Sequence, residues 1–217
     1  MSVALDELLM LPDEDVSAET LARLLAFAQD KDAEVRSLTA ESLVRFAPDT
    51  DAADALIVLA QDADALVRTQ ALDSLAAFPT EKVLACLTAA LAREAVDGLP
   101  YRYALLAAAE VAAALRQPER VLPVLRTQAN SPVMATRVCA CYGLSLCGEA
   151  QAFDALLGAL AAEDYHDRCL AVHLLDALGM HKTRVLRALR ECLLCETVPA
   201  VRTTIEDVLR AEEEKNV

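Results

Sequence analysis

Apolar residues recur at three- and four-residue intervals along nearly the whole chain, which is the spacing of one face of an amphipathic helix. Short polar breaks that carry Asp, Gly or Pro divide this pattern into paired segments. The first helices of the pairs are predicted at 17–29, 50–61, 79–94, 118–129, 149–162 and 182–195. The second helices are predicted at 33–47, 64–78, 99–116, 132–147, 165–178 and 199–213.

An arginine marks the beginning of every second helix. The six are separated by 32, 34, 35, 31 and 34 residues and stand at Arg36, Arg68, Arg102, Arg137, Arg168 and Arg202. Seven residues after each one comes a Leu or, once, an Ala. A helix pair repeated at this period predicts an all-α protein, a right-handed α-solenoid in which each pair buries its apolar stripe against its neighbours.

The repeats follow one another without a separate linker, so residues 1–217 are predicted to form a single solenoid domain. Its parts are an N-terminal cap, 1–16, and repeats at about 17–47, 48–78, 79–116, 117–147, 148–179 and 180–213. Gly148 and Gly179 are expected just beyond the ends of two helices. Pro123 is expected either to kink its helix or to lie in the first turn.

Composition favours helices over strands. Hydrophobic residues make up 55% of the chain, but aromatic residues only 4%, so the apolar content is mostly Ala, Leu and Val. The formal net charge is −14, and residues 1–75 hold 16 Asp and Glu against five Lys and Arg. Such a chain repels phosphate backbones, and no nucleic-acid partner is expected. The acidity either attracts a basic partner protein or only maintains solubility.

The cellular location is predicted from what the apolar segments lack. The first ten residues have neither the positive n-region nor the long apolar core of a secretory signal. The longest nearly apolar run, 103–115, contains Glu110 and is shorter than the ~18 residues of a spanning helix. Seven Cys, an odd number, fit a reducing compartment. We expect a cytoplasmic protein with no membrane partner that is monomeric when free.

Two stretches share an acidic turn followed by Val-Arg, an Ala and a Leu: DAEVRSLTAESL at 32–43 and DADALVRTQALDSL at 62–75. This signature resembles the HEAT-like repeats, particularly the short bacterial form named after phycobilisome lyases. Residues 148–179 resemble a whole repeat of that family, except that His166 and Asp167 replace the usual small residue and Val. The resemblance extends over about residues 17–210 and implies that turn carboxylates and the arginines form a ladder within and between repeats.

Each arginine lies at the edge of an apolar stripe formed by the residues one before, three after and seven after it, at about 100° per residue. A charge in that place needs a partner. We therefore expect Arg68 to be held by turn acids such as Asp62 or Asp64 and to serve the fold, not catalysis.

The face opposite the stripe is centred five residues after each arginine. Since the resemblance places the second helices on the concave side of a solenoid, these positions are predicted to line a groove. The predicted protein-binding residues are Glu41, Asp73, Tyr103, Glu110, Tyr142, His173, Asp176 and Asp207. Tyrosines are enriched at binding hot spots, although an equal alternative is that the two Tyr only cover their neighbours.

Zinc binding is the most specific alternative among the possible chemical functions. Cys169 with His173, and Cys192 with Cys195, stand four and three residues apart on helices expected to touch. The second pair belongs to an apolar stripe and the first pair lies on the opposite face, so no metal is expected. No cofactor is expected either, because the sequence lacks a phosphate-binding loop, a nucleophile elbow and the repeated His-Glu motifs of deoxyhypusine hydroxylase, a HEAT-like enzyme.

The predicted function is therefore non-enzymatic. We expect a scaffold that binds a partner protein in an acidic concave groove, as a bacterial adaptor or toxin-immunity protein does. The alternative is a tetrapyrrole-handling protein similar to phycobilin lyases, in which the groove acids and His173 or Cys169 hold a bilin.

Overall fold

A computed structural model describes residues 3–12 and 14–214, and every regular element in these residues is a helix. The α-helices are α1 (Val3–Leu9), α2 (Ala18–Phe27), α3 (Ala33–Leu43), α4 (Thr50–Leu59), α5 (Ala65–Ser74), α6 (Glu81–Arg93), α7 (Leu99–Ala114), α8 (Leu122–Gln128), α9 (Met134–Leu146), α10 (Ala150–Gly158), α11 (Tyr165–Ala177), α12 (Lys182–Cys195) and α13 (Pro199–Glu214). Short 3₁₀ turns follow α3, α5 and α10, and another, Pro118–Arg120, precedes α8. Within the described ranges, no helix combines the length and apolar character required to cross a bilayer.

The all-α solenoid class predicted from the repeats is confirmed, and a helix occupies each predicted segment. The largest difference is at 118–129, where the α-helix begins only at Leu122. Pro118 starts a separate 3₁₀ turn, and Pro123 lies in the first turn of α8, which is one of its two predicted places. A proline fits there because the first N–H groups of a helix have no partner within the helix.

Aspartate side chains begin four helices. The residues that accept hydrogen bonds from the free N–H groups of the first turn are Asp32, Asp49, Asp64 and Asp164. Such a cap stabilises a helix by about 0.5–2 kcal/mol relative to alanine. The acids that stand four residues before the arginines are therefore used as helix caps.

The described residues form two compact units, one up to Val121 and the other from Leu122 onward. In the first unit, α3, α5 and α7 lie side by side, and α2, α4 and α6 pack against them in order. There α1 packs on α3 and buries Leu5 and Leu8, each 5% exposed. In the second unit, α9, α11 and α13 follow one another, with α8, α10 and α12 packed against them. The single domain over 1–217, with a cap at 1–16, stays a prediction; residues 1, 2, 13 and 215–217 lie outside the described residues.

The predicted apolar stripe of the second helices is the core. Three residues after each arginine, the side chain is fully buried in all six repeats: Thr39, Ala71, Leu105, Ala140, Ala171 and Ile205. Seven residues after it, five of the six are buried, and Leu209 of the last repeat is half-buried. Burying one such Leu side chain contributes about 1.5–3 kcal/mol, so the stripe supplies much of the stability of the repeats.

The end of α9 shows why a glycine follows that helix. Gly148 has a φ of 86°, in the left-handed region. Its N–H donates to the carbonyl of Ser145 at 3.0 Å, and the N–H of Glu149 donates to the carbonyl of Leu144 at 3.0 Å. These are the two bonds of a Schellman motif. Gly179, with a φ of 64°, takes the same place after α11, and both predictions are confirmed.

Candidate functional site

Each arginine of the repeat reaches back to the turn before its own helix. In five repeats Nη1 donates to the carbonyl oxygen six residues earlier, and in one to the oxygen five residues earlier. The pairs are Arg36 with Asp30 at 2.8 Å, Arg68 with Asp62 at 2.9 Å, Arg102 with Asp97 at 2.9 Å, Arg137 with Ser131 at 2.6 Å, Arg168 with Ala162 at 2.8 Å and Arg202 with Glu196 at 3.0 Å. The guanidinium therefore closes the turn between the two helices of a repeat.

Three of these arginines also hold a carboxylate from the turn of the next repeat. Nε and Nη2 both donate to it, so the contact is bidentate. The pairs are Arg36 with Asp62 at 2.7 and 2.8 Å, Arg68 with Glu94 at 2.9 and 3.1 Å, and Arg168 with Glu196 at 2.7 and 3.1 Å. Two parallel charge-assisted hydrogen bonds are stronger and more directional than one. The arginines thus join one repeat to the next.

The prediction that the carboxylate of Asp62 or Asp64 holds Arg68 is wrong. Asp62 contributes its backbone carbonyl to Arg68, and its carboxylate is taken by Arg36. Asp64 caps α5 through its side chain, which accepts from the N–H groups at the start of that helix. The carboxylate that holds Arg68 comes from Glu94, one repeat further along the chain.

The ladder carboxylates are held in their ionised form. Hydrogen bonds from Arg36 lower the pKa of Asp62, and hydrogen bonds from Arg168 lower that of Glu196. Burial pushes the pKa of Glu94 upward, but hydrogen bonds from Arg68 and Arg93 outweigh burial, and the pKa lies below its ordinary value. The arginines and their partners are consequently occupied by the fold.

Three acids of the predicted binding residues come together on the second helices of the first unit. Glu41 of α3 and Asp73 of α5 are exposed, and Glu110 of α7 is half-buried. Although Asp73 reaches solvent, the surrounding atoms remove part of its hydration and raise its pKa, and the charges of Glu110 and Glu41 raise it further. We call these three residues the acidic face. Tyr103, half-buried on α7, precedes Glu110 by seven residues and lies on the same side of that helix.

The remaining predicted residues belong to the second unit. His173 and Asp176 of α11 and Asp207 of α13 are exposed, as expected for outward positions. Tyr142 of α9 is only 3% exposed, and the prediction that it projects from the surface is wrong. The reason is that every residue from 138 to 145 is buried, so this stretch of α9 has no outward face.

The four residues considered for zinc do not converge. The Cys192 thiol points to the carbonyl of Leu160 at 3.9 Å, and the Cys195 thiol to the carbonyl of Cys192 at 3.3 Å. Cys169 Sγ lies 3.8 Å from the hydroxyl of Thr204. Among the described residues, no group of three or more His, Cys, Asp or Glu side chains is placed to hold a metal ion.

Comparison with known proteins agrees with the geometry of the repeat. Residues 21–104 match a family model described as HEAT repeats. The match covers less than half of the chain, from α2 into α7, and identifies HEAT repeats in that part. No curated protein sequence matches it significantly.

Solved structures that are similar to this chain have low sequence identity to it. One is a chain of the complex of CpcE and CpcF of phycocyanin lyase from Nostoc sp. PCC7120, with a TM-score of 0.64, 18% identity and coverage of 90% of this chain and 83% of that chain. Another is YibA of Escherichia coli, with a TM-score of 0.55, 14% identity and coverage of 99% and 77%. Human deoxyhypusine hydroxylase has a TM-score of 0.42, 17% identity and coverage of 91% and 86%. The first two likenesses concern the fold, and the function has to be inferred from the surface.

One surface of the protein was not predicted from the sequence. A groove of about 480 Å³ lies between α1 and α3 and is lined by Leu8, Leu9, Leu11, Leu38, Glu41, Ser42, Val44 and Arg45. We call it the α1–α3 groove. Leu9 is 62% exposed although its neighbour Leu8 is buried. The signal in the sequence is this additional leucine in VALDELLM, beyond the two leucines that α1 buries.

Proposed function

We propose that the protein is a non-enzymatic scaffold that binds a basic partner protein through the acidic face. The supporting observation is that α3, α5 and α7 pack side by side, and that the charges of Glu41 and Glu110 on the outer two helices both raise the pKa of Asp73 on the middle one. Like charges gathered in one place oppose folding, so this arrangement is not explained by stability alone. Lys or Arg side chains of a partner would relieve the repulsion on binding.

The distribution of charge supports a basic partner. Residues 1–75 carry 16 acidic against five basic residues, and they include two of the three acids of the face. A surface of one sign attracts an oppositely charged protein from a distance and discourages partners of like charge. In this proposal the acidic face speeds the encounter with the basic partner and selects against acidic proteins.

The non-enzymatic part of the proposal rests on how the repeated polar residues are used. The arginines are the polar side chains that recur in all six repeats, and each donates to a turn carbonyl. One of the similar solved structures is a complex of two proteins, CpcE and CpcF of phycocyanin lyase. The finer role that we propose is that of a bacterial adaptor or toxin-immunity protein that masks a basic effector.

Photo-crosslinking in the source cells tests this proposal. A photo-reactive amino acid in place of Tyr103, beside the acidic face, is expected to capture a basic protein. Adding Asp73→Lys should remove the cross-link. Adding Asp51→Lys should not, because it reverses an exposed charge on α4, which is the first helix of its repeat. A partner captured equally in both backgrounds would show that the acidic face does not bind it.

A second proposal is the handling of a tetrapyrrole, favoured by the fold shared with a phycocyanin lyase chain at a TM-score of 0.64. The residues proposed to hold a bilin are His173, exposed on α11, and Cys169, one turn earlier and half-buried. Mixing the protein with a bilin should shift the visible absorbance of the pigment, and His173→Ala should reduce the shift. An unchanged spectrum would remove this proposal.

A further inference from the structure

The α1–α3 groove has apolar walls that remain open to solvent. Among the residues that line it, Leu8 and Leu11 are buried, while Leu9 and Val44 are 62% and 37% exposed. Exposed apolar side chains that line one concave surface of a soluble protein mark an interaction site more often than scattered ones do. The volume, about 480 Å³, would hold several side chains of a partner.

The openness of the walls favours a macromolecule over a small ligand. A small-molecule pocket encloses about 70–90% of its ligand. Leu9 and Val44 leave the groove too open for that, but a partner with a wide surface would cover both side chains as it inserts its own.

The secondary structure restricts how a peptide could dock. The structure shows no strand in residues 3–12 and 14–214, so these residues offer no sheet edge for an added strand. Polyproline segments dock in aromatic-lined grooves, and the described lining of the α1–α3 groove contains no aromatic residue. An apolar groove of this kind suits one face of an amphipathic helix.

The charge of the groove indicates the polar residues of that helix. Glu41 is exposed in the lining and also belongs to the acidic face, so the two surfaces are continuous. The cation in the lining, Arg45, is half-buried, donates to the carbonyl of Pro12 at 3.0 Å and lies 5.6 Å from the centre of the Phe46 ring. Among the described residues of the lining, Glu41 is therefore the exposed charge that is available to an incoming helix.

We infer that the α1–α3 groove binds an amphipathic, cationic helix of a partner protein. Apolar side chains of that helix enter between Leu9 and Val44, and a Lys or Arg beside them pairs with Glu41. This inference rests on the proposed function, because it names the segment that a basic partner presents.

A designed peptide tests the inference without the natural partner. The probe is a fluorescein-labelled helix of about 18 residues with Leu on one face and Lys on both flanks of that face. Fluorescence anisotropy with the full chain should show binding. Replacing the Lys by Glu, or the Leu by Gln, should each weaken binding at least about tenfold.

Two variants of the protein locate the site. Leu9→Asp and Glu41→Lys should each weaken peptide binding at least about tenfold. The matched control is Leu66→Asp, because Leu66 of α5 is 65% exposed, against 62% for Leu9, and does not line the groove. Melting curves of both Asp variants verify folding, and amide hydrogen exchange should slow in α1 and α3 when the peptide is added.

The inference is overturned if Leu9→Asp binds the peptide as well as Leu66→Asp does, or if no binding is seen up to about 1 mM. Its failure is distinguishable from failure of the proposed function. A captured partner that is lost on Asp73→Lys but kept on Leu9→Asp would retain the acidic face and exclude the groove. Conversely, the peptide could depend on Leu9 while the captured partner binds Asp73→Lys as well as the native chain. That outcome would retain the groove and exclude the acidic face.

Discussion

Arg68 and Glu94 form a bidentate ion pair between neighbouring repeats, with Nε 2.9 Å from Oε1 and Nη2 3.1 Å from Oε2. The two side chains are 20% and 8% exposed. The third nitrogen, Nη1, donates to the carbonyls of Asp62 and Ala63. One side chain therefore closes its own turn and joins the next repeat, which explains why an arginine recurs at the edge of an apolar stripe.

Removing that arginine should destabilise the protein strongly. Arg68→Ala leaves the Glu94 carboxylate in a mostly buried place without this bidentate partner, and we expect the free energy of unfolding to fall by about 2–4 kcal/mol. The control is Arg102→Ala, because Arg102 donates to the Asp97 carbonyl and pairs with no carboxylate among the described residues. Its loss should be about 1 kcal/mol. Equal losses in urea unfolding would contradict a special role for the carboxylate pairs.

The ladder should also make the protein sensitive to acid. The pKa of Glu196 is lowered by hydrogen bonds from Arg168, so the unfolded chain takes up the proton at a higher pH than the folded chain does. The stabilisation from this pair is therefore complete above the ordinary Glu pKa of about 4.3 and is lost as the pH falls through the lowered value. Glu196→Gln should be less stable than the native chain at neutral pH, and the difference should shrink below about pH 4. A constant difference across that range would contradict the assignment.

Asp73 should show the opposite dependence on pH. Its pKa is raised by partial loss of hydration and by the charges of Glu110 and Glu41, so the folded chain takes up the proton at a higher pH than the unfolded chain does. Stability is then lost as the pH rises from the ordinary Asp pKa of about 3.9 through the raised value. Asp73→Asn should raise the melting temperature at neutral pH and have little effect in acid. A lower melting temperature at neutral pH would show that Asp73 stabilises the fold.

Two glycines give a matched test of backbone strain. Gly148 has a φ of 86°, and no atom lies within 4 Å of an added Cβ, so Gly148→Ala should cost about 1–2 kcal/mol from backbone strain alone. Gly158, at the end of α10, has equally open surroundings without a positive φ. Gly158→Ala should therefore stabilise by about 0.5–1 kcal/mol. Calorimetry that gives the two variants the same sign would contradict this account of the α9 end.

The parts of the structure that the sequence predicted well depend on local periodicity. Ala71 and Leu75 follow Arg68 by three and seven residues, and both are fully buried, as the helical spacing required. The burial of Tyr142 could not be predicted in this way, because the spacing places it outward and only tertiary packing covers it.

The partners in ion pairs between repeats also could not be predicted from local sequence patterns. Glu94 follows Arg68 by 26 residues, and nothing in the repeat signature distinguishes it from other turn acids. The α1–α3 groove likewise depends on where α1 docks, which an isolated amphipathic segment does not specify. Position within a helix was predictable, whereas pairing between helices required the structure.

The central proposal is that the arginines stabilise the solenoid while the acids five to eight residues after them bind a partner protein. The most direct test measures, for Arg68→Ala and Asp73→Lys, both the melting temperature and the affinity for the cross-linked partner, by calorimetric titration below the melting temperature of either variant. We predict that Arg68→Ala lowers the melting temperature and leaves the affinity within about twofold, whereas Asp73→Lys weakens binding at least about tenfold without lowering the melting temperature. Unchanged affinity in Asp73→Lys, or a loss of affinity in folded Arg68→Ala as large as that expected for Asp73→Lys, would contradict the account.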